Sequence, residues 1–150
     1  MEKLDFRESL LVYNSLHKET DELYHSLARR CGFSDCALWI LYIVRESGEA
    51  RTQRDICGTL FMSKQTVNSA LKNLEKSGYI ELAPCGGDKR NKRILLTDAG
   101  RRFAENSVDR IMAMEQRAFA HFSEEERGAF LRLFRKYAER LRQEAEALFD

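Results

Sequence analysis

Residues 51–93 read RTQRDICGTLFMSKQTVNSALKNLEKSGYIELAPCGGDKRNKR, and the reading of this stretch decides what the rest of the chain has to be. It holds nine basic residues (Arg51, Arg54, Lys64, Lys72, Lys76, Lys89, Arg90, Lys92 and Arg93) against four acidic ones, a net of +5. Residues 1–50 sum to −3 and residues 94–150 to −1, so a formal total of +1 conceals a basic middle between acidic flanks. A polyanion contact in the middle of the chain is the expected consequence, with nucleic acid the first candidate.

Within the stretch, Thr52 followed by Asp55 resembles a capping box with Asp in place of Glu, and opens a short helix whose buried side is Ile56, Cys57 and Leu60. Phe61 and Met62 make a brief turn, and Ser63 is an N-cap for a helix over residues 64–77 that Gly78 ends. On that helix Val67, Leu71 and Leu74 fall within about 60° of one another, a narrow apolar stripe with Ala70 beside it. The opposite side carries Gln65, Asn68, Ser69, Lys72 and Lys76: amides, a hydroxyl and ammoniums, but no carboxylate. Such groups donate to base edges in a major groove and to phosphates; the bland alternative is the polar face of any surface helix.

Strand-like segments at residues 79–83 (YIELA) and 93–97 (RILLT) flank a turn marked by Pro84, Gly86 and Gly87, with a tip reading DKRNKR. A hairpin directly after a recognition-type helix, with Lys89, Arg90, Lys92 and Arg93 at its end, is the arrangement of a winged helix. Its tip suits an adjacent minor groove, where arginine fits best. Simple solvation is the alternative, but four basic residues in five is an unusual way to achieve it.

Outside this stretch the apolar residues recur at helical spacing and there is a single proline, so the chain is expected to be mostly helical. A first helix over residues 5–30 stops at Gly32. Ser34 caps a second over residues 35–46, whose ALWILYIV is apolar nearly all round and belongs at the centre of the core. Thr97 or Asp98 caps a long fifth helix, with Phe103, Val108, Ile111, Met112 and Phe119 along it, reaching about His121. Ser123 and Glu126 make a capping box for a sixth. Its apolar set, Phe130, Leu133, Phe134, Tyr137, Leu141, Leu148 and Phe149, exceeds what a terminal helix on a monomer needs; packing on a two-fold partner would bury it, and a monomer with an ordinary core is the alternative.

Composition narrows the classes further. A chain of 150 residues suits one domain with helical extensions. No run of about 18 apolar residues exists and the start, MEKLDFRESL, lacks a signal-peptide apolar region, so a cytoplasmic protein is expected, with no membrane partner. The four cysteines, Cys31, Cys36, Cys57 and Cys85, form no CxxC pair, and the three histidines have no zinc-ligand spacing; neither metal nor cofactor is expected. No nucleophile and base pair, Gly-rich phosphate loop or paired carboxylates appear, which argues against an enzyme.

The helix-turn-helix TQRDICGTLFMSKQTVNSALKNLEKSGYI and the wing signature D-x-R followed by L-T-x-x-G (Asp88, Arg90, Leu96, Thr97, Gly100) together resemble the MarR (multiple antibiotic resistance regulator) family of transcriptional regulators. The resemblance covers nearly the whole chain. It implies a mostly α fold, a winged helix-turn-helix at residues 34–97 with a three-helix core and β-hairpin wing, and long N- and C-terminal dimerisation helices at residues 1–33 and 98–150. The implied function is a homodimer on a pseudo-palindromic operator in double-stranded DNA, acting as a repressor. Ser63, Lys64, Gln65, Thr66, Asn68, Ser69 and Lys72 would serve the recognition helix, and Asp88, Lys89, Arg90, Asn91, Lys92 and Arg93 the wing. Arg90 would enter the minor groove with Asp88 orienting it, and Thr52 and Gln53 would add backbone contacts. Glu81, Ala83 and Cys85 depart from the more basic strand of many members, placing more weight on the tip.

Family members often release DNA when a small aromatic effector binds between the dimer helices and the winged domain. His17, Trp39, Tyr42 and Phe103 are candidates to line such a cleft, or equally ordinary core. The family's hydroperoxide sensors carry a reactive cysteine early in the first helix, where ESLLVYNSL has none. Cys31, Cys36 and Cys85 are the remaining candidates for a redox-responsive version. A winged helix that binds protein instead of DNA is the third class, and the carboxylate-free outer face of the fourth helix argues against it.

Overall fold

A computed structural model describes residues 5–48 and 51–148, with the backbone alone at residues 88–90. The elements are α1 (Phe6–Arg30), α2 (Asp35–Ser47), β1 (Arg51–Thr52), α3 (Gln53–Leu60), α4 (Lys64–Lys76), β2 (Ile80–Cys85), β3 (Asp88–Leu96), α5 (Asp98–Asn106), α6 (Val108–Ala120) and α7 (Glu124–Ala147). They fall into two compact units, Met1–Asp109 and Arg110–Asp150.

In the first unit α2 is the hub. It touches α1, α3, α4, α5 and β3, and its Leu38, Ile40 and Leu41 are fully buried, as its nearly all-round apolar sequence requires. Each such side chain stabilises the fold by about 1.5–3 kcal/mol. Ser34 Oγ accepts the Ala37 N–H at 3.2 Å to start the helix, and Gly48 in the left-handed conformation ends it. Ile56 of α3, Val67, Leu71 and Leu74 of α4, Ile80 and Ile94 of the sheet, and Val108 complete the core, which among the described residues contains no buried polar group.

The sheet has three strands in the order β1-β3-β2, all antiparallel, where a two-stranded hairpin was expected. Arg51 and Thr52 pair with Ile94 and Arg93, and so cover the second edge of β3. The strands also run further than expected, leaving Gly86 and Gly87 as the turn and placing DKRNKR on β3. The register runs from Ile80 opposite Leu96 to Pro84 opposite Lys92, then jumps to Cys85 opposite Asp88. Residues 89–91 are therefore extra length facing one step of β2, a bulge near the tip of the wing. Pro84 sits on the edge strand β2.

The expected single fifth helix is broken in two at Ser107, whose φ of −127° and ψ of −71° leave the helical region. Its hydroxyl donates to the Phe103 carbonyl at 2.7 Å, the back-bonding by which a serine bends a helix. The Arg45 guanidinium then grips the first turn of α6, with Nε and Nη2 donating to the two Asp109 carboxylate oxygens at 2.9 and 2.7 Å. Those hydrogen bonds hold the Asp109 carboxyl below the usual carboxylate range.

The L-T-x-x-G segment closes the first unit. Thr97 Oγ1 donates to the Gly78 carbonyl at 2.6 Å and accepts the Gly100 N–H at 2.9 Å, while the Thr97 N–H donates to the Tyr79 carbonyl at 3.1 Å. A Cβ on Gly100 would lie 1.9 Å from the Tyr79 carbonyl oxygen, so only glycine allows this approach. Phe33, Tyr79 and Phe103 pack on one another beside it, with ring centroids 4.6–5.7 Å apart.

In the second unit Ser123 and Glu126 form the expected capping box at the start of α7. Arg127 Nη1 donates to the Phe122 carbonyl at 2.8 Å across the α6–α7 corner, and Phe119, Phe122, Phe130 and Phe134 form a chain of rings 6.0–6.4 Å apart. Leu133, Leu141 and Leu148 are exposed; Phe149 lies outside the described residues.

Gly100→Ala forces the backbone of Tyr79 to move and is expected to destabilise the protein by about 3 kcal/mol. Urea denaturation followed by circular dichroism checks this, and a loss below half of that value contradicts the close contact.

Candidate nucleic-acid interface

The polar side of α4 follows from how the helix is anchored. Val67, Ala70, Leu71 and Leu74 are buried, so helical geometry turns Lys64, Gln65, Ser69 and Lys72 outward, where all four are exposed, with Asn68 half-buried at the margin. The first turn holds no acidic residue. That leaves the positive end of the helix dipole with no carboxylate against it, a favourable place for phosphate.

Ser63 and Thr66 serve the cap. Ser63 Oγ accepts the Thr66 N–H at 3.1 Å and lies 2.8 Å from Thr66 Oγ1, and both residues are exposed. Thr52 is similarly engaged at the start of α3, where its hydroxyl accepts the Asp55 N–H at 3.2 Å and its own N–H donates to Asp55 Oδ2 at 2.9 Å. These bonds, the backbone one foremost, hold Asp55 below the usual carboxylate range. Gln53 beside it is half-buried. Between the two helices Phe61 takes a left-handed conformation, φ +52°, and its ring is 91 % exposed. In the sequence Phe61 is one of the two residues of a brief turn, and nothing local marks its conformation or its exposure.

On the wing Lys92 and Arg93 are exposed and Asn91 is half-buried. The side chains of Asp88, Lys89 and Arg90 lie outside the described residues. Glu81 is exposed on β2, with Ala83 and Cys85 half-buried along the same strand.

The effector candidates fall into three places. Trp39 and Tyr42 share one aromatic group with Tyr24, their ring centroids 4.9 and 5.3 Å apart in sequence. Phe103 belongs to the Phe33 and Tyr79 group, and His17 stacks on Tyr13 at 6.0 Å with Asp21 3.7 Å away. A cavity of about 410 Å³ does exist in this unit, lined by residues that include Arg45, Glu81, Ile94 and Arg101, and by none of those four. Burial raises the thiol pKa of Cys31, and burial with a contribution from Cys57 raises that of Cys36. Among the described residues no group of three His, Cys, Asp or Glu side chains is placed to hold a metal ion.

Helices α3 and α4 packed on α2, followed by the β2–β3 hairpin to which β1 adds a third strand, define this unit as a winged helix-turn-helix. Residues 31–91 match the MarR family profile. The chain is 33 % identical over 99 residues to the uncharacterized HTH-type transcriptional regulator YwoH of Bacillus subtilis, covering 65 % of this chain and 70 % of that protein. It is 30 % identical over 101 residues to YwhA of the same organism, with 67 % and 72 % covered. Among solved structures, NMB1585, a MarR family regulator from Neisseria meningitidis, matches with a TM-score of 0.78 at 20 % identity, over 92 % of this chain and 96 % of that one. An S. aureus MepR–DNA complex matches with a TM-score of 0.71 at 22 % identity, over 93 % and 99 %. The protein belongs to the MarR family; it is a transcriptional regulator and not an enzyme.

Burial moves the Cys31 and Cys36 thiols further from ionisation than an ordinary thiol, so each forms its thiolate only in more alkaline solution. Iodoacetamide labelling read by mass spectrometry at pH 7 and pH 9 is expected to modify both slowly at pH 7 and faster at pH 9. Rapid labelling of either at pH 7 contradicts the burial effect.

Proposed function

We propose that this regulator binds a pseudo-palindromic operator in double-stranded DNA as a homodimer, placing α4 of each protomer in a major groove and each wing in an adjacent minor groove. The observation that carries the reading is the outward side of the first turns of α4, where Lys64, Gln65, Ser69 and Lys72 are exposed without a carboxylate among them. The S. aureus structure of the same fold is itself a complex with DNA, which supports the reading. Lys72 contacts phosphate, Gln65, Asn68 and Ser69 face base edges, and Ser63 and Thr66 hold the helix end that approaches the backbone. Arg90, with Asp88 orienting it, and Lys89, Asn91, Lys92 and Arg93 form the wing contact; Thr52 and Gln53 add backbone contacts.

Residues 34–97 form the DNA-binding part in this reading, and residues 1–33 and 98–150 the dimerisation part. Leu11, Leu16 and Leu23 on α1 are exposed in the single chain, and so are Phe130, Leu133, Phe134 and Leu141 on α7, which gives each helix an apolar surface for a partner to cover. A two-fold partner covers it and sets the two recognition helices about 34 Å apart, one turn of DNA. The reading is completed by repression in the cytoplasm, relieved when a small aromatic effector binds.

Fluorescence anisotropy with a duplex from the DNA flanking the coding sequence, against a scrambled duplex, tests the central claim. Selective and steeply salt-dependent binding is expected, and equal weak binding to both contradicts it. Lys72→Ala is expected to flatten the salt slope by about 1, and Arg90→Ala to cost about 1–3 kcal/mol of binding. Analytical ultracentrifugation at micromolar concentration is expected to give a dimer; a monomer removes the role assigned to α1 and α7.

A further inference from the structure

Phe61 combines two properties that each work against the folded state. It is the described non-glycine residue with positive φ, and it is the most exposed of the large apolar side chains described, at 91 %. In the left-handed conformation Cβ crowds the neighbouring carbonyl, a cost that glycine avoids and asparagine reduces. Either of those residues would end α3 in the same turn. An exposed ring, in turn, forgoes the burial that makes an aromatic worth placing in a fold. The fold alone therefore gives no reason for phenylalanine here, and a strained backbone position of this kind points to a contact made outside the folded chain.

Its place in the molecule indicates what that contact is. Phe61 lies two residues before Ser63, the N-cap of α4, at the end of the helix from which Lys64 and Gln65 are exposed and around which no acidic residue lies in the first turn. Phe61 belongs to the short turn that leads directly into the helix whose cationic and amide surface is assigned above to DNA. A duplex presents apolar carbon at the edge of a major groove in two forms, the C5-methyl group of thymine and the carbons of deoxyribose. Resting on the reading of α4 as the groove-entering helix, we propose that Phe61 is a further DNA-contacting residue, its ring packing on the apolar edge of the groove beside the N-terminus of α4. It gives each half-site an apolar contact that the polar face of α4 does not supply.

The test uses a duplex enriched by the full-length wild-type protein from a randomised library. Phe61→Gly is expected to raise the Tm by about 2–4 °C through relief of backbone strain while weakening binding to that duplex about tenfold. Phe61→Asn, which also tolerates the left-handed region, is expected to weaken binding alike, and Phe61→Leu to retain most of the affinity. Uracil in place of thymine then separates the two forms of the contact. Loss of wild-type affinity at one position of each half-site, absent in Phe61→Gly, identifies the thymine methyl; no effect of uracil identifies the deoxyribose. Unchanged or tighter binding by Phe61→Gly and Phe61→Asn, on a duplex to which Lys72→Ala binds more weakly, overturns this inference and leaves the α4 reading standing. Failure of the wild-type protein to enrich any duplex overturns both.

Discussion

The approach of Gly100 to the Tyr79 carbonyl is the contact on which the geometry of the winged unit depends. It fits the start of α5 against the turn that joins α4 to β2, at a distance no side chain tolerates. Thr97 ties the same turn by its backbone and its hydroxyl, and in doing so caps α5. One short segment thus secures the C-terminal end of α4, the root of the wing and the beginning of α5. The L-T-x-x-G signature, which in the sequence marks a family, is in the structure a joint: threonine supplies three hydrogen bonds and glycine supplies the missing volume.

From that joint the rest is built outward with little polar chemistry inside. α4 presents its amides and ammoniums because its other side is committed to an apolar core, and the described residues of that core hold no buried polar group. The interactions that give direction sit at the edges: the caps of each helix, the grip of Arg45 on Asp109 below the break at Ser107, and the pairing of β1 with β3. Hydrophobic burial supplies the stabilisation and these edge contacts select among the arrangements it permits.

Much of this was legible in the sequence because it is local. Ser34, Thr52, Ser63 and Ser123 announce helix starts by chemistry confined to one turn, and each caps the helix expected of it. The apolar stripe of α4 and the all-round apolar α2 follow from periodicity alone. What escaped the sequence depends on tertiary partners or on elements too short to have a period. A two-residue strand such as β1 carries no pattern, and a serine at position 107 is ordinary in a helix until its hydroxyl turns back on Phe103. Phe61 reads as one more apolar residue until its conformation and exposure are seen. His17, Trp39, Tyr42 and Phe103 are polar-tipped or aromatic groups on different helices, and the fold distributes them over three groups, since which aromatics meet is settled by packing and not by composition.

The register of the wing has a consequence for how such a protein changes over generations. Between Ile80 and Pro84 the pairing with β3 is regular and is pinned by the buried Ile80 and Ile94; the irregularity, with its three additional residues, lies beyond that. Lengthening or shortening the tip therefore alters no paired residue in the core, and the entropic cost of a longer loop rises only slowly with its length. The wing can be retuned for reach and charge while the scaffold is inherited unchanged, so divergence in what relatives recognise need leave no trace in how they fold.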